Sequence, residues 1–184
     1  MNKLIGVLAI QGDFQAHVIS LSAMRAHYVE VRNTQDLQGV THLIVPGGES
    51  TTVRRVAQQD GLWEELAGFK GPVMGTCMGC ILMADKILEP DARGWNMLDM
   101  TIRRNAYGRQ INSFTSPGRV AFMDIEIEMV FIRAPKIVTF GSAVKPIAWL
   151  GDEITGVICG NKMALTFHPE LSGNTGLHEY FLGL

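Results

Sequence analysis

The residues best suited to chemistry stand at "GTCMG", Gly75 to Gly79, where a short apolar run ends and a helix-like pattern starts. A Gly-x-nucleophile-x-Gly corner between a strand and a helix has the shape of a nucleophile elbow. The nucleophile of such a corner sits in a strained conformation. Side chains two positions away would collide with strand and helix, so glycine is needed there. The helix that follows aims its first N–H groups at the sulfur, which favours thiolate. It also leaves the Met78 amide free to bind an oxyanion. Three roles are open to Cys77: a nucleophile, half of a redox pair with Cys80 in a C-x-x-C at a helix start, or an ordinary buried thiol. Cys80 falls one turn into "CILMA", where burial is expected, and no aromatic residue precedes Cys77. Zinc would need further ligands, and Cys159 and His168 lie far from zinc-motif spacing. The pattern favours the nucleophile.

A nucleophilic cysteine needs a base, and the base an orienting group. Of five histidines, His17, His27, His42 and His178 read as surface or packing residues. His168 ends the apolar strand "MALTF" and is followed by Pro169 and Glu170. On an extended chain, residues i and i+2 project to one side. Glu170 is therefore expected behind the His168 imidazole, with Pro169 stiffening the step. The result is a Cys77–His168–Glu170 triad. "PGGEST" (46–51) adds a turn whose glycines allow close backbone approach to a ligand. Ser50 or Thr51 is expected to cap the helix after it.

Those residues must be held by a scaffold, and the first half of the chain alternates strand and helix signals. "KLIGVLAI" (3–10), "YVEVR" (28–32), "THLIVPGGES" (41–50) and "GPVMGT" (71–76) read as strands or strand-and-turn segments. Phe14 to Ala26, Thr51 to Asp60, Leu62 to Phe69 and Met78 to Leu88 read as helices. This rhythm predicts parallel strands flanked by helices, because parallel neighbours need crossovers. The second half is richer in strands: 97–104, 124–135, 143–150, 153–160 and 162–169, then a short closing helix over Thr175 to Leu184. "DIEIEM" alternates as a strand with one wet face does. The fold class expected is α/β: one domain over 1–184, three layers, a mostly parallel central sheet and a partly antiparallel extension.

Composition narrows the class further. The 184 residues are 47% hydrophobic and 18% charged, ordinary for a globular protein with a sizeable core. A net charge of −2, with "RR" at 54–55 and 103–104 the only basic doublets, gives no footprint for nucleic acid or an anionic membrane. No apolar run reaches the ~18 residues of a membrane span. The N-terminus reads as a first buried strand rather than a signal peptide. Three cysteines without a secretory signal point to reduced thiols and a cytoplasmic setting.

Together, "GTCMG", "PGGEST" and "FHPE" resemble the class I (triad) glutamine amidotransferases. The blocks "GVLAIQGDFQAH", "PGGESTTVRR", "RRNAYGRQINSF" (103–114), "FIRAP" (131–135) and "TFHPEL" narrow the resemblance to the glutaminase subunits of pyridoxal 5′-phosphate synthase. The resemblance implies that Cys77 attacks the side-chain amide of L-glutamine, releasing ammonia and leaving a thioester that water hydrolyses to glutamate. His168 would shuttle the proton and Glu170 would orient it. Gly47, Gly48, Glu49, Arg104, Ile132 and Arg133 would bind glutamine, and Gly48 and Met78 would form the oxyanion hole. Arginine suits the α-carboxylate. A surface ion pair, worth ~0–1 kcal/mol, is a poor account of an arginine inside the apolar "FIRAP". The resemblance also implies no cofactor, no metal, and delivery of the ammonia to a synthase subunit in a hetero-oligomeric complex. Gln11 would lie near that interface and help the docked state set the oxyanion hole. Where the family commonly has alanine after the nucleophile, this chain has Met78, and "TSPGRVAFM" (115–123) matches no block.

Overall fold

The computed structural model describes residues 3–107 and 113–184. The Gly108–Asn112 part of "RRNAYGRQINSF" lies outside the described residues. In chain order the elements are β1 (Leu4–Leu8), α1 (Phe14–Ala23), β2 (His27–Val31), β3 (His42–Val45), α2 (Ser50–Ala57), α3 (Leu62–Gly68), β4 (Val73–Thr76) and α4 (Met78–Met83). Next come β5 (Ala84–Ile87), β6 (Leu98–Arg103), β7 (Ser113–Val120), β8 (Ile127–Ile132), β9 (Lys136–Phe140), β10 (Lys145–Leu150), β11 (Glu153–Cys159), β12 (Lys162–Leu165) and α5 (Gly176–Leu182). Short 3-10 turns cover Thr34–Leu37 and Pro169–Leu171.

Nine strands form one sheet in the order β2-β1-β3-β4-β12-β11-β10-β7-β8. From β2 to β12 the neighbours are parallel; from β12 to β8 they are antiparallel. The expected parallel core and antiparallel extension are thus one continuous sheet. Along β3 and β4 the side chains alternate between its faces. Leu43, Val45 and Val73 enter a core shared with α2, α3 and α4. Ile44 and Met74 enter a second core with α1, α5 and the β7–β8 pair. Burial on both faces explains why these strands read as unbroken apolar runs. A three-stranded sheet, β5-β6-β9, packs on the α2–α4 side.

Four sequence expectations change. The helix from Met78 stops at Met83 rather than Leu88, and Ala84 turns to extended backbone (φ −69°, ψ 148°). Residues 84–87 become β5, paired with β6. Alanine and lysine favour helix, but strand pairing outweighs that weak preference. The carbonyls freed at the helix end accept instead from Trp95 N–H and Met97 N–H. The stretch around 115–123 holds most of β7. Its Pro117 is tolerated because β10 pairs only with Arg119 and Val120, leaving that edge free beside the proline. Residues 124–126 precede β8 instead of opening it, with Ile125 exposed. Finally β9 is a half-buried strand, with no fully buried residue, that apolar patterning does not flag.

Candidate active site

β4 delivers the elbow. Cys77 has φ 47° and ψ −100°, a positive φ that an L-residue adopts only under constraint. The constraint is backbone pairing: Cys77 N–H donates to the Leu165 carbonyl at 2.9 Å, extending the β4–β12 ladder by one residue. The flanking glycines are required by close approach. A Cβ on Gly79 would stand 1.9 Å from the Val45 carbonyl oxygen, and one on Gly75 2.6 Å from the Gly79 carbonyl carbon. Met78, the first residue of α4, is fully buried in the core.

β12 delivers the partner. Three residues beyond its end, the chain turns at His168, whose N–H donates to the Val130 carbonyl at 2.8 Å. Pro169 opens the 3-10 turn, so the segment is not the extended step expected from sequence. The fixed proline φ suits that first position. The side chains still meet: His168 Nδ1 lies 2.7 Å from Glu170 Oε1. Both residues are buried, at 5% and 8% exposure. Burial by itself disfavours the imidazolium, but the Cys77 sulfur and the Glu170 carboxylate outweigh it and raise the His168 pKa to about 10. Burial likewise opposes the Glu170 carboxylate. His17 first, then His168, overcome this and hold it well below the usual carboxylate range. Nε2 of His168 has no hydrogen-bond partner among the described residues. The Cys77 thiol points to the Ile132 carbonyl at 3.6 Å.

A cavity of about 350 Å³ opens over this corner, lined by Gly47, Gly48, Glu49, Cys77, Met78, Arg104, Ile132, Arg133 and His168, together with Asp13, Ser50, Ile81 and Asn105. Of the residues given triad, glutamine-binding, oxyanion or interface roles from sequence, Glu170 and Gln11 stand outside this lining. Arg104 and Arg133 come from separate loops joined by the Ala106 N–H to Ala134 carbonyl bond at 3.1 Å. Glu89 Oε1 accepts the Arg104 N–H at 3.2 Å. The glycine turn presses on the base, since a Cβ on Gly47 would stand 2.3 Å from His168 Cε1. Gln11 reaches the same turn from the end of β1, its Oε1 accepting the Glu49 N–H at 2.6 Å.

The cap of α2 is Glu49, not Ser50 or Thr51. Its carboxylate accepts the Thr51 and Thr52 N–H groups at 2.9 Å each and also the Thr52 hydroxyl. A carboxylate reaches these donors as a shorter capping side chain would. The Thr52 hydroxyl, followed by the Thr51 contacts and the Thr52 amide, draws its pKa down to about 2 against a smaller desolvation effect.

Sequence reasoning set aside two histidines that stand behind the triad. His17 and His178 have no exposed surface. His17 Nε2 is 3.3 Å from Glu170 Oε2, and His17 Nδ1 is 2.9 Å from His178 Nε2. The signal was present in α1, where His17 precedes the buried Val18 and Leu21 on the apolar face. Cys80 is a free thiol, fully buried, its pKa pushed up first by burial and then by Cys77. That suits packing better than redox exchange. Among the described residues, no three His, Cys, Asp or Glu side chains cluster as metal ligands, and no helix is long and apolar enough to cross a membrane.

The sequence model of the SNO glutamine amidotransferase family matches residues 7–183. The chain is 42% identical over 190 residues to the pyridoxal 5′-phosphate synthase subunit PdxT of Thermococcus gammatolerans, covering 97% of this chain and 96% of the relative. It is 44% identical over 188 residues to the subunit of that name from Deinococcus radiodurans, covering 98% and 96%. A crystal structure described as a glutamine amidotransferase superposes with a TM-score of 0.91 at 38% identity, covering 97% of both chains.

Proposed function

The chain belongs to the SNO glutamine amidotransferase family, and from that membership we propose the working of its site, as one domain over 1–184. It is the glutaminase subunit of pyridoxal 5′-phosphate synthase, hydrolysing L-glutamine to L-glutamate and ammonia and supplying the ammonia to the synthase subunit. The observation that carries the roles of the residues is the strained Cys77 beside a buried, Glu170-paired His168 at one cavity.

In the acylation step, Cys77 Sγ as thiolate attacks the glutamine side-chain carbon. The oxyanion is met by the Met78 and Gly48 amides. His168 Nε2, left without another partner, gives its proton to the departing nitrogen as the tetrahedral intermediate collapses to the thioester. The neutral imidazole then takes a proton from water, which attacks the thioester carbon. Collapse releases glutamate, with the thiolate and the imidazolium restored. Glu170 holds the ring and stabilises its cationic form. Arg104 and Arg133 take the α-carboxylate, while Gly47, Glu49 and Ile132 frame the substrate. These steps use thiol, imidazole and amides alone, so the reading assigns no cofactor or metal to the half-reaction.

The synthase subunit docks in a cytoplasmic hetero-oligomeric complex. Gln11, bound to the Glu49 amide at the glycine turn, ties the N-terminal loop to the turn carrying Gly48, so docking at that loop would reset the oxyanion hole. Gln11→Ala is expected to weaken partner-dependent activity. The test of the whole is glutamate release by the purified chain, alone and with the synthase subunit. Activity that rises with the partner and vanishes in Cys77→Ala supports the reading. Bound complexes without activity overturn it.

A further inference from the structure

Four polar residues from four segments converge behind the elbow, with no exposed surface on three of them. Thr76 ends β4, His17 lies in α1, His178 in α5, and Glu170 in the 3-10 turn. His17 Nε2 stands 3.3 Å from Glu170 Oε2 and 3.2 Å from Thr76 Oγ1. His17 Nδ1 meets His178 Nε2 at 2.9 Å. Packing alone does not call for such a cluster, because buried polar groups cost free energy that apolar side chains would not.

We propose that His17 is a positioning residue of the triad: its ring, set by Thr76 Oγ1 at Nε2 and by His178 at Nδ1, stands 3.3 Å from the outer oxygen of Glu170 and attracts it, keeping the inner oxygen on His168 Nδ1. The proton assignment follows from the partners. An ionised carboxylate only accepts, so the His17 Nε2 that faces it carries hydrogen. This N–H bonds the Thr76 hydroxyl oxygen at 3.2 Å and presents its positive end to Glu170 Oε2, which has no hydrogen bond of its own among the described residues. One proton then lies between His17 Nδ1 and His178 Nε2, whichever ring owns it, and fixes the tilt of the His17 ring. A carboxylate gripped at one oxygen alone could swing about its terminal torsion, which is broad. Bonded at Oε1 and drawn at Oε2 by the facing His17 N–H, it presents Oε1 to His168 continuously. Support of this kind, one bond removed from the reacting groups, is where active-site precision is secured. The titratable groups facing the cluster are Cys77 and His168 from the elbow side, Glu170 between, and His17 and His178 behind.

The inference rests on the glutaminase reading, and its test separates the two. His17→Gln returns an N–H donor near the Nε2 position; His17→Asn keeps one near Nδ1 only. In the assembled complex, with active sites counted by iodoacetamide capture of Cys77, His17→Asn is expected to lower kcat by ~10–100-fold and leave KM within about twofold. Its alkaline limb is expected to move to lower pH, because His168 loses part of its carboxylate support. His17→Gln is expected to recover most of both. A role in folding alone would reduce the active fraction and the Tm but leave kcat per site and the limb unchanged. That result, or equal behaviour of the two variants, overturns the inference. If wild type releases no glutamate with its partner, the glutaminase reading fails. The pH dependence of Cys77 alkylation then still reads His168, and an unshifted profile in His17→Asn refutes the positioning role by itself.

Discussion

Gly79→Ala tests whether the elbow is held by backbone contact. The added Cβ would meet the Val45 carbonyl oxygen at 1.9 Å and its carbon at 2.8 Å, both backbone atoms of a central strand. Restoring ordinary contact requires a shift of roughly 1.5 Å, and β3 is hydrogen-bonded on both sides. The start of α4 must therefore move, carrying Cys77 and the Met78 amide with it. Overpacking of this kind costs about 1–3 kcal/mol of stability. A misplacement near 1 Å at the reacting atoms costs about 100-fold in rate, or roughly 2.8 kcal/mol in barrier. Glutaminase turnover of the assembled enzyme and urea unfolding of the free chain give the two numbers. Gly68→Ala is the control: it ends α3, its Cβ would meet nothing within 4 Å, and it should leave activity intact and change stability by less than about 1 kcal/mol. Wild-type turnover in Gly79→Ala would refute the reasoning.

Phe131→Ala removes a ring stacked on Phe114 at 4.7 Å and tilted against Phe167 at 5.8 Å. It should cost about 3–5 kcal/mol in urea unfolding, and it should raise KM because β8 positions Ile132 and Arg133. Cys80→Ala should retain turnover and its response to peroxide, since the thiol is buried packing; abolished activity would instead favour the redox pair. Acid should destabilise the chain through His178, whose pKa burial, then His17, lowers to about 3 against a smaller opposing effect of Glu170. The folded state keeps this ring neutral while the unfolded state protonates near 6.5, so stability falls as pH drops from about 6.5 towards 3. Urea midpoints between pH 7 and 5 should show that slope, and His178→Gln should flatten it.

The parallel half of the sheet was legible because its strands are short aliphatic runs closed by glycine turns, as at "LIVPGG" and "VMGT". The elbow was legible for a related reason: its requirements are local, a nucleophile between two glycines. β5 was not, because "ADKI" continues a helix-compatible pattern and becomes a strand only by pairing with residues 98–102. β9 shows little burial contrast, and β7 carries serine, proline and glycine where strands usually carry branched residues. The triad's acid–base pair was read from a local i, i+2 spacing, although the turn that realises it is 3-10. His17 and His178 are 161 residues apart, and nothing near either one in sequence announces the other.

The β4–β12 pairing has a consequence for how sequences of this kind can diverge. Leu165 lies opposite Thr76, and Cys77 is bonded to Leu165, so the gap between nucleophile and base is measured in backbone steps rather than side-chain contacts. Point replacements along Met74 or Met163 leave that ruler unchanged. A single inserted or deleted residue between Leu165 and His168 would miscount it, displacing the imidazole by about 3 Å. Length at this junction is therefore held more tightly than identity.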